Sequence, residues 1–314
     1  MKILGLIFIV VLFSCNQTNK QSTIIDYLGQ KPPIDTAEVF AKGMISTSSL
    51  EHSAPVFSPD GKTVLWSIMK MPGYHMIILE MNYDIDKWSS PHTPLFSDTL
   101  ANEVYPSFSP DGKQLYFSSD RIDSKNDTNT IGNRLWKVER NGKDWGVPVL
   151  LDTIISKGGE YACSISETGN LYFTYGAHRS PDWNILRSEN DNGKYGSPVK
   201  LELNSPGYED GPFVAADESY LIFESDRPGS MGGSIDLFIS FKNKDGQWSE
   251  PKNMGDKVNS PSHERFARVS PDGKYLFFGS NKNQTEKEPG FDIFWIDAKI
   301  IKELRKNNYP GNSF

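Results

Sequence analysis

An all-β propeller of five four-stranded antiparallel blades is the fold class this sequence predicts, and three observations predict it. A tight-turn motif recurs five times along the 314 residues. Each copy is flanked by short runs rich in β-branched and aromatic residues, with little helix-spaced apolar patterning. Glycine (26 residues) and proline (20 residues) are abundant, as a chain of many tight turns requires.

The chain opens with Lys2 and an apolar run from Ile3 to Phe13, followed by Ser14 and Cys15. Eleven apolar residues are too few for a bilayer core that needs about 20, so residues 1–14 read as a removable signal peptide. The stretch Leu12-Phe13-Ser14-Cys15 resembles a bacterial lipobox, which implies that Cys15 is the lipidated first residue of the mature chain, although Phe13 departs from the small residue usual there. Residues 15–36, polar with a proline pair, read as a lipidated tether, and residues 37–314 as one propeller domain. Cys163 is the other cysteine and lies in an apolar run, where it reads as a small buried hydrophobe.

The repeats follow. The turn is Ser58-Pro59-Asp60-Gly61, Ser109-Pro110-Asp111-Gly112 and Ser270-Pro271-Asp272-Gly273, with degenerate copies at Ser166-Glu167-Thr168-Gly169 and Ala215-Ala216-Asp217-Glu218. The copies lie 51, 57, 49 and 55 residues apart, a period that suits a small sheet rather than a strand. Proline fits the fixed φ of the second turn position and glycine the positive φ of the last, so each copy predicts a hairpin. A third strand follows each hairpin, for example residues 134–138 and 235–240. A fourth is announced by an aromatic residue and a proline three apart: Trp88 and Pro91, Trp145 and Pro148, Tyr195 and Pro198, Trp248 and Pro251. Proline is tolerated where no ladder donor is needed, which places this strand at the outer edge. The last repeat lacks its fourth strand, and the segment around Val39 to Met44 is expected to supply it, closing the ring between chain ends. Six blades is the rival count if residues 23–50 hold more strand. Ile300, Ile301 and Leu304 are spaced for a short helix over residues 297–308.

These repeats resemble the WD-like β-propeller repeat family with the Ser-Pro-Asp-Gly turn, the TolB-like propeller repeats, over about Val39 to Asp297. The ending Asp292 to Leu304 resembles that of a group of lipoproteins from Bacteroidetes-type bacteria. The resemblance implies a non-enzymatic scaffold of the cell envelope, anchored by lipid in the outer membrane on its periplasmic side or at the cell surface. It assigns no catalytic residue and no cofactor.

A second regularity concerns charge. Glu51, Glu103, Glu160, Glu209 and Glu264 precede the first strands, and Lys70, Arg121, Arg179, Arg227 and Lys282 follow the second strands, 18 or 19 residues later. This places an acid and a base at the open end of every inner hairpin, on one face around the channel mouth. Two readings stand: each pair ties a crossover loop to its hairpin, or the ring is a binding face for a protein or glycan, with Tyr161 and Tyr208 among aromatic neighbours that also include Tyr105 and Phe266. The tryptophans of the fourth strands suit blade-to-blade packing better than carbohydrate stacking. His52 and His263, beside Glu51 and Glu264 at the closing blades, are the candidates for a metal, which would assist a hydrolase or lyase. Removing the signal peptide leaves 32 basic against 40 acidic residues, a charge of −8 that argues against nucleic acid. Hydrolase elbows, the zincin His-Glu-x-x-His pair, phosphate loops and EF-hand loops are absent from the sequence. The sequence favours a non-catalytic envelope scaffold binding a protein or glycan at the channel mouth. The alternative is a glycan-active hydrolase or lyase using two mouth carboxylates.

Overall fold

The computed structural model describes residues 26–123, 132–176, 182–233, 235–285 and 290–308. The signal segment, Cys15 and Arg179 lie outside the described residues. Five antiparallel sheets form a five-bladed propeller, with one helix at the C-terminal end. In blade 2 the order from axis to rim is Glu103–Phe108, Gln114–Ser119, Arg134–Asn141 and the short outer pieces Asp144–Trp145 and Val149–Leu150. Pro148 stands between those two pieces, so the outer strand breaks where the ladder donor is missing.

The repeated turn holds these hairpins by side chain as well as backbone. Ser109 Oγ bonds Asp111 at 2.7 Å and accepts the Gln114 N–H at 3.0 Å, and Ser58 and Ser270 repeat the arrangement. Gly112 has φ of 70°, and a Cβ there would come within 2.8 Å of Pro59 Cδ, so successive turns nest against each other only with glycine.

Side chains alternate between the two faces of each blade, and each face meets a neighbouring blade. On Gln114–Ser119, Leu115 and Phe117 join Val56, Leu65 and Ile78 of blade 1, whereas Tyr116 joins Cys163, Ile165 and Phe173 of blade 3. The core is therefore a set of interblade layers. Cys163 is fully buried in one of them, and burial pushes its thiol up to about 12. Trp145 lies between blades 1 and 2 and donates its indole N–H to Glu80 at 3.1 Å.

Ring closure uses both chain ends. The strand Glu38–Val39 pairs with Asp292–Asp297 as the outer strand of blade 5, and the Phe40 N–H bonds the Ile293 carbonyl at 2.7 Å. The closing strand thus ends five residues short of Met44, and the segment after it turns inward with Phe40 and Ile45 fully buried. Among the described residues, no further strand occurs between Asp26 and Ser49, which leaves five blades rather than six. The expected tether also packs earlier than position 36: Tyr27 is buried against Phe57, Tyr275, Phe277 and Trp295 and donates to Asp272 at 2.6 Å. Helix Lys299–Asn308 seats Ile300 and Ile301 on Phe241, Met254 and Val258 across blades 4 and 5.

Candidate functional site

The five glutamates do come to one end of the inner hairpins, and every one of them is buried, at 2% exposure or less. Their oxygens are taken up by the crossover loop that enters their own blade. Glu51 accepts the Thr47 N–H and hydroxyl, Glu160 the N–H groups of Lys157 and Gly158, Glu209 the N–H and hydroxyl of Ser205, and Glu264 the N–H and hydroxyl of Ser260. Burial pushes the carboxyls of Glu51 and Glu160 up, to about 7 and about 6, and raises those of Glu103 and Glu264 as well.

The basic partners differ from blade to blade. Glu103 pairs with Arg121 and Glu209 with Arg227 at 3.1 Å. Each arginine also donates to a carbonyl of the crossover, Phe96 at 3.1 Å and Leu203 at 2.9 Å, so these pairs clamp a loop to a hairpin. Lys282 instead lies over the Phe294 ring at 4.0 Å. Lys70 lines a cleft of about 180 Å³ between blades 1 and 2 with His75, Asp98 and Glu103. That cleft is smaller than an ordinary ligand pocket of roughly 300 Å³ or more.

The residues one and two places after the glutamates form a different assembly. The inner strands of blades 2 to 5 each bulge just beyond the glutamate, and a bulge re-aims side chains. Tyr105 and Phe266 sit at these bulges with φ of 57° and 53°, a left-handed conformation that costs on the order of 1 kcal/mol for such residues. Their rings meet at 4.8 Å across the axis, and the Tyr105 hydroxyl meets His52 Nε2 at 2.9 Å. Burial, with Arg265 nearby, pushes the His52 imidazole down to about 3 and that of His263 to about 4, so both are neutral.

Around this floor the mouth carries a row of half-buried aromatic rings, Tyr161 on Trp183 at 4.7 Å and Trp183 on Tyr208 at 5.8 Å. The Tyr208 hydroxyl donates to Asp210 at 2.7 Å. Asp210 is the cross-strand partner of Glu224, which accepts the Phe266 N–H at 2.7 Å and leaves Oε2 without a partner. Burial, then the charge of Asp210, pushes the Glu224 carboxyl up to about 8. Arg265 lies beside this group on blade 5, and the buried Arg268 of the same strand donates to the Ala267 carbonyl at 2.8 Å.

The structure therefore brings Tyr161, Tyr208, His52, Tyr105 and Phe266 together and adds Trp183, Asp210, Glu224 and Arg265, which the repeat alignment passes over. A signal for them exists: Glu224 stands where the other second strands have Ser67, Ser118, Thr174 and Gly279. His263 faces Phe291 at 5.4 Å rather than joining His52 in a ligand set. Among the described residues, no group of three or more His, Cys, Asp or Glu side chains is arranged to hold a metal ion.

No family model matches the chain, and no curated protein is similar to it in sequence. Solved structures do share its fold. An endo-arabinase from Bacteroides thetaiotaomicron superposes with a TM-score of 0.52 at 15% identity, covering 81% of this chain and 96% of that one. TolB from Acinetobacter baumannii matches with a TM-score of 0.44 at 15% identity over 79% of this chain, which spans about half (54%) of the TolB chain. An α-L-arabinofuranosidase from Podospora anserina matches with a TM-score of 0.48 at 12% identity, over 84% and 97% of the two chains. At these identities the likeness concerns the fold alone.

Proposed function

We propose that this chain is a non-catalytic, lipid-anchored protein of the cell envelope, held at the outer membrane through Cys15, that binds a glycan or protein partner at the channel mouth. The observation that carries the reading is the half-buried row Tyr161, Trp183 and Tyr208 on the rim of the floor formed by Tyr105, Phe266 and His52. Flat aromatic faces beside a few fixed polar groups are how binding sites combine area with orientation. The five ring glutamates act in this reading as loop anchors that fix the rim, and Arg121 and Arg227 as the clamps of their crossovers.

A second reading, a glycan-active hydrolase or lyase, is favoured by the adjacent carboxyls of Asp210 and Glu224. Burial pushes the Glu224 carboxyl up to about 8, and a carboxyl that keeps its proton is a candidate acid for chemistry on a sugar. Both are buried, at 3% and 0% exposure, and a carboxyl must reach the scissile bond to act. The purified chain is screened on a glycan array and then assayed for oligosaccharide release. Binding lost in Trp183→Ala with no release supports the scaffold, whereas release abolished by Glu224→Gln establishes the enzyme. For the anchor, radiolabelled palmitate should label the wild-type chain in a bacterial host and not Cys15→Ser; labelling of both would remove the lipid anchor at Cys15.

A further inference from the structure

Arg265 is the charged member of the mouth that the loop-anchoring scheme leaves unused. Its guanidinium lies over the Phe266 ring at 3.9 Å and the Phe291 ring at 4.6 Å. Its nitrogens meet no hydrogen-bond acceptor among the described residues, and Nε is buried without a partner. A guanidinium sandwiched by ring faces is fixed in its plane and presents its donor edge outward. The group that matches such an edge is a carboxylate, which takes two parallel N–H bonds.

The seat of Arg265 is built into the sequence. Gly279 is its cross-strand partner, and a Cβ on Gly279 would stand 3.2 Å from Arg265 Cγ and 3.7 Å from the Phe291 ring. Gly279 has no positive φ, so space rather than backbone conformation is what glycine supplies there. Trp183 is seated the same way: its cross-strand partner is Gly176, where a Cβ would lie 2.5 Å from the indole Cδ2. Two blades thus give up a side chain so that an arginine and an indole can occupy defined places at the mouth.

Charge points the same way. Near Arg265 stand Asp210, Glu224, Arg268, His52, His263 and Tyr208. Asp210 is already engaged by the Tyr208 hydroxyl and the Gly211 N–H, and Glu224 and both histidines are neutral at pH 7. Arg265 is then the cation of the mouth that has no acceptor of its own among the described residues, on a chain of net charge −7. We propose that the mouth binds a saccharide that carries a carboxylate, its acid group on the Arg265 guanidinium and its ring face on Trp183. This rests on the binding reading above and narrows it to uronic-acid sugars.

Calorimetric titration of the full chain in detergent tests it, with tetragalacturonate and tetraglucuronate, their methyl esters, and tetraglutamate as probes. At least one tetra-uronate should bind, and esterification should weaken it about 10- to 100-fold, the range for loss of charged hydrogen bonds. Arg265→Gln should show the same loss with an unchanged melting midpoint. Gly279→Ala, which removes no charge but crowds the stem of Arg265, should weaken the acid and not the ester. Equal binding of acid and ester, wild-type affinity in Arg265→Gln, or no binding of either tetra-uronate overturns the proposal. Tetraglutamate binding as tightly as the uronates would replace the sugar by an acidic peptide. Uronate binding that survives Trp183→Ala would instead remove the mouth as the site and sink the broader reading with it.

Discussion

Glu224 shows what one departure from a repeat does. The other blades put a hydroxyl or a hydrogen at its position, whereas here a carboxyl is fully buried beside Asp210 and titrates near 8 instead of the ordinary 4.5. A group whose native pKa is raised binds its proton more tightly when folded, so its stabilising share is complete below 4.5 and is lost as pH rises through about 8. Glu224→Gln has no such proton. The melting midpoint of the variant should therefore gain on that of the wild type between pH 5 and pH 9, and a gap that stays constant would mean that the carboxyl is already ionised in the fold. The pair of Glu103 and Arg121 makes a different prediction, because both partners are buried and both also bind the crossover, Glu103 through the Asp98 N–H and Arg121 through the Phe96 carbonyl. Removing one partner leaves an uncompensated buried charge and should cost about 3 to 5 kcal/mol by urea denaturation. The exchange Glu103→Arg with Arg121→Glu should not restore that loss, since each new side chain would meet a backbone partner of the wrong polarity. Full recovery would show that the pair acts through charge alone.

At the scale of elements, the sequence announces whatever is repeated and hides whatever is local. The hairpins, the outer-strand prolines and the C-terminal helix are legible because each rests on a pattern with a physical reason, and the missing fourth strand of the last repeat points to the strand at Glu38–Val39. The glutamate ring is legible as a ring, but a carboxylate that will anchor a loop and one that will meet a ligand look the same until burial is known. The bulges that aim Tyr105 and Phe266 at each other depend on one-residue register shifts that carry no composition signal. Tyr27 is hidden for a related reason, since two apolar residues in a polar stretch have no periodicity. Yet it is buried among four aromatic rings from blades 1 and 5 and hydrogen-bonded to the turn residue Asp272. The segment before the closing strand is thus part of the ring's seam. Tyr27→Ala should lower stability by about 3 to 5 kcal/mol, the cost of deleting a large buried ring. A change within about 0.5 kcal/mol, as expected of a surface substitution, would return residues 26–36 to the tether.

The whole molecule is a closed circuit of interblade layers, and its cooperativity follows from that closure. Each blade is sandwiched, so no blade can unfold without exposing the apolar faces of two neighbours, and the seam is the place in blade 5 where the N-terminal outer strand meets the rest of the blade without a covalent link. There the contact is made by the outer strand Glu38–Val39, by Phe40, and by Trp66, Phe277 and Trp295 behind it. Phe40 is fully buried, with its ring 4.9 Å from Phe277 and 5.0 Å from Trp295. Phe40→Ala should therefore cost about 3 to 5 kcal/mol, yet the loss should be felt everywhere at once. Trp145 reports the layer between blades 1 and 2, one blade round from the seam, while far-UV circular dichroism reports all the strands. Tryptophan emission in a variant that keeps Trp145 as its only tryptophan, with the other six replaced by phenylalanine, should melt at the same temperature as the dichroism, both before and after Phe40→Ala is added. If opening of the seam instead released blade 5 alone, the dichroism would fall first and the Trp145 signal would hold. That separation would show the ring to be a row of blades that happens to meet at its ends.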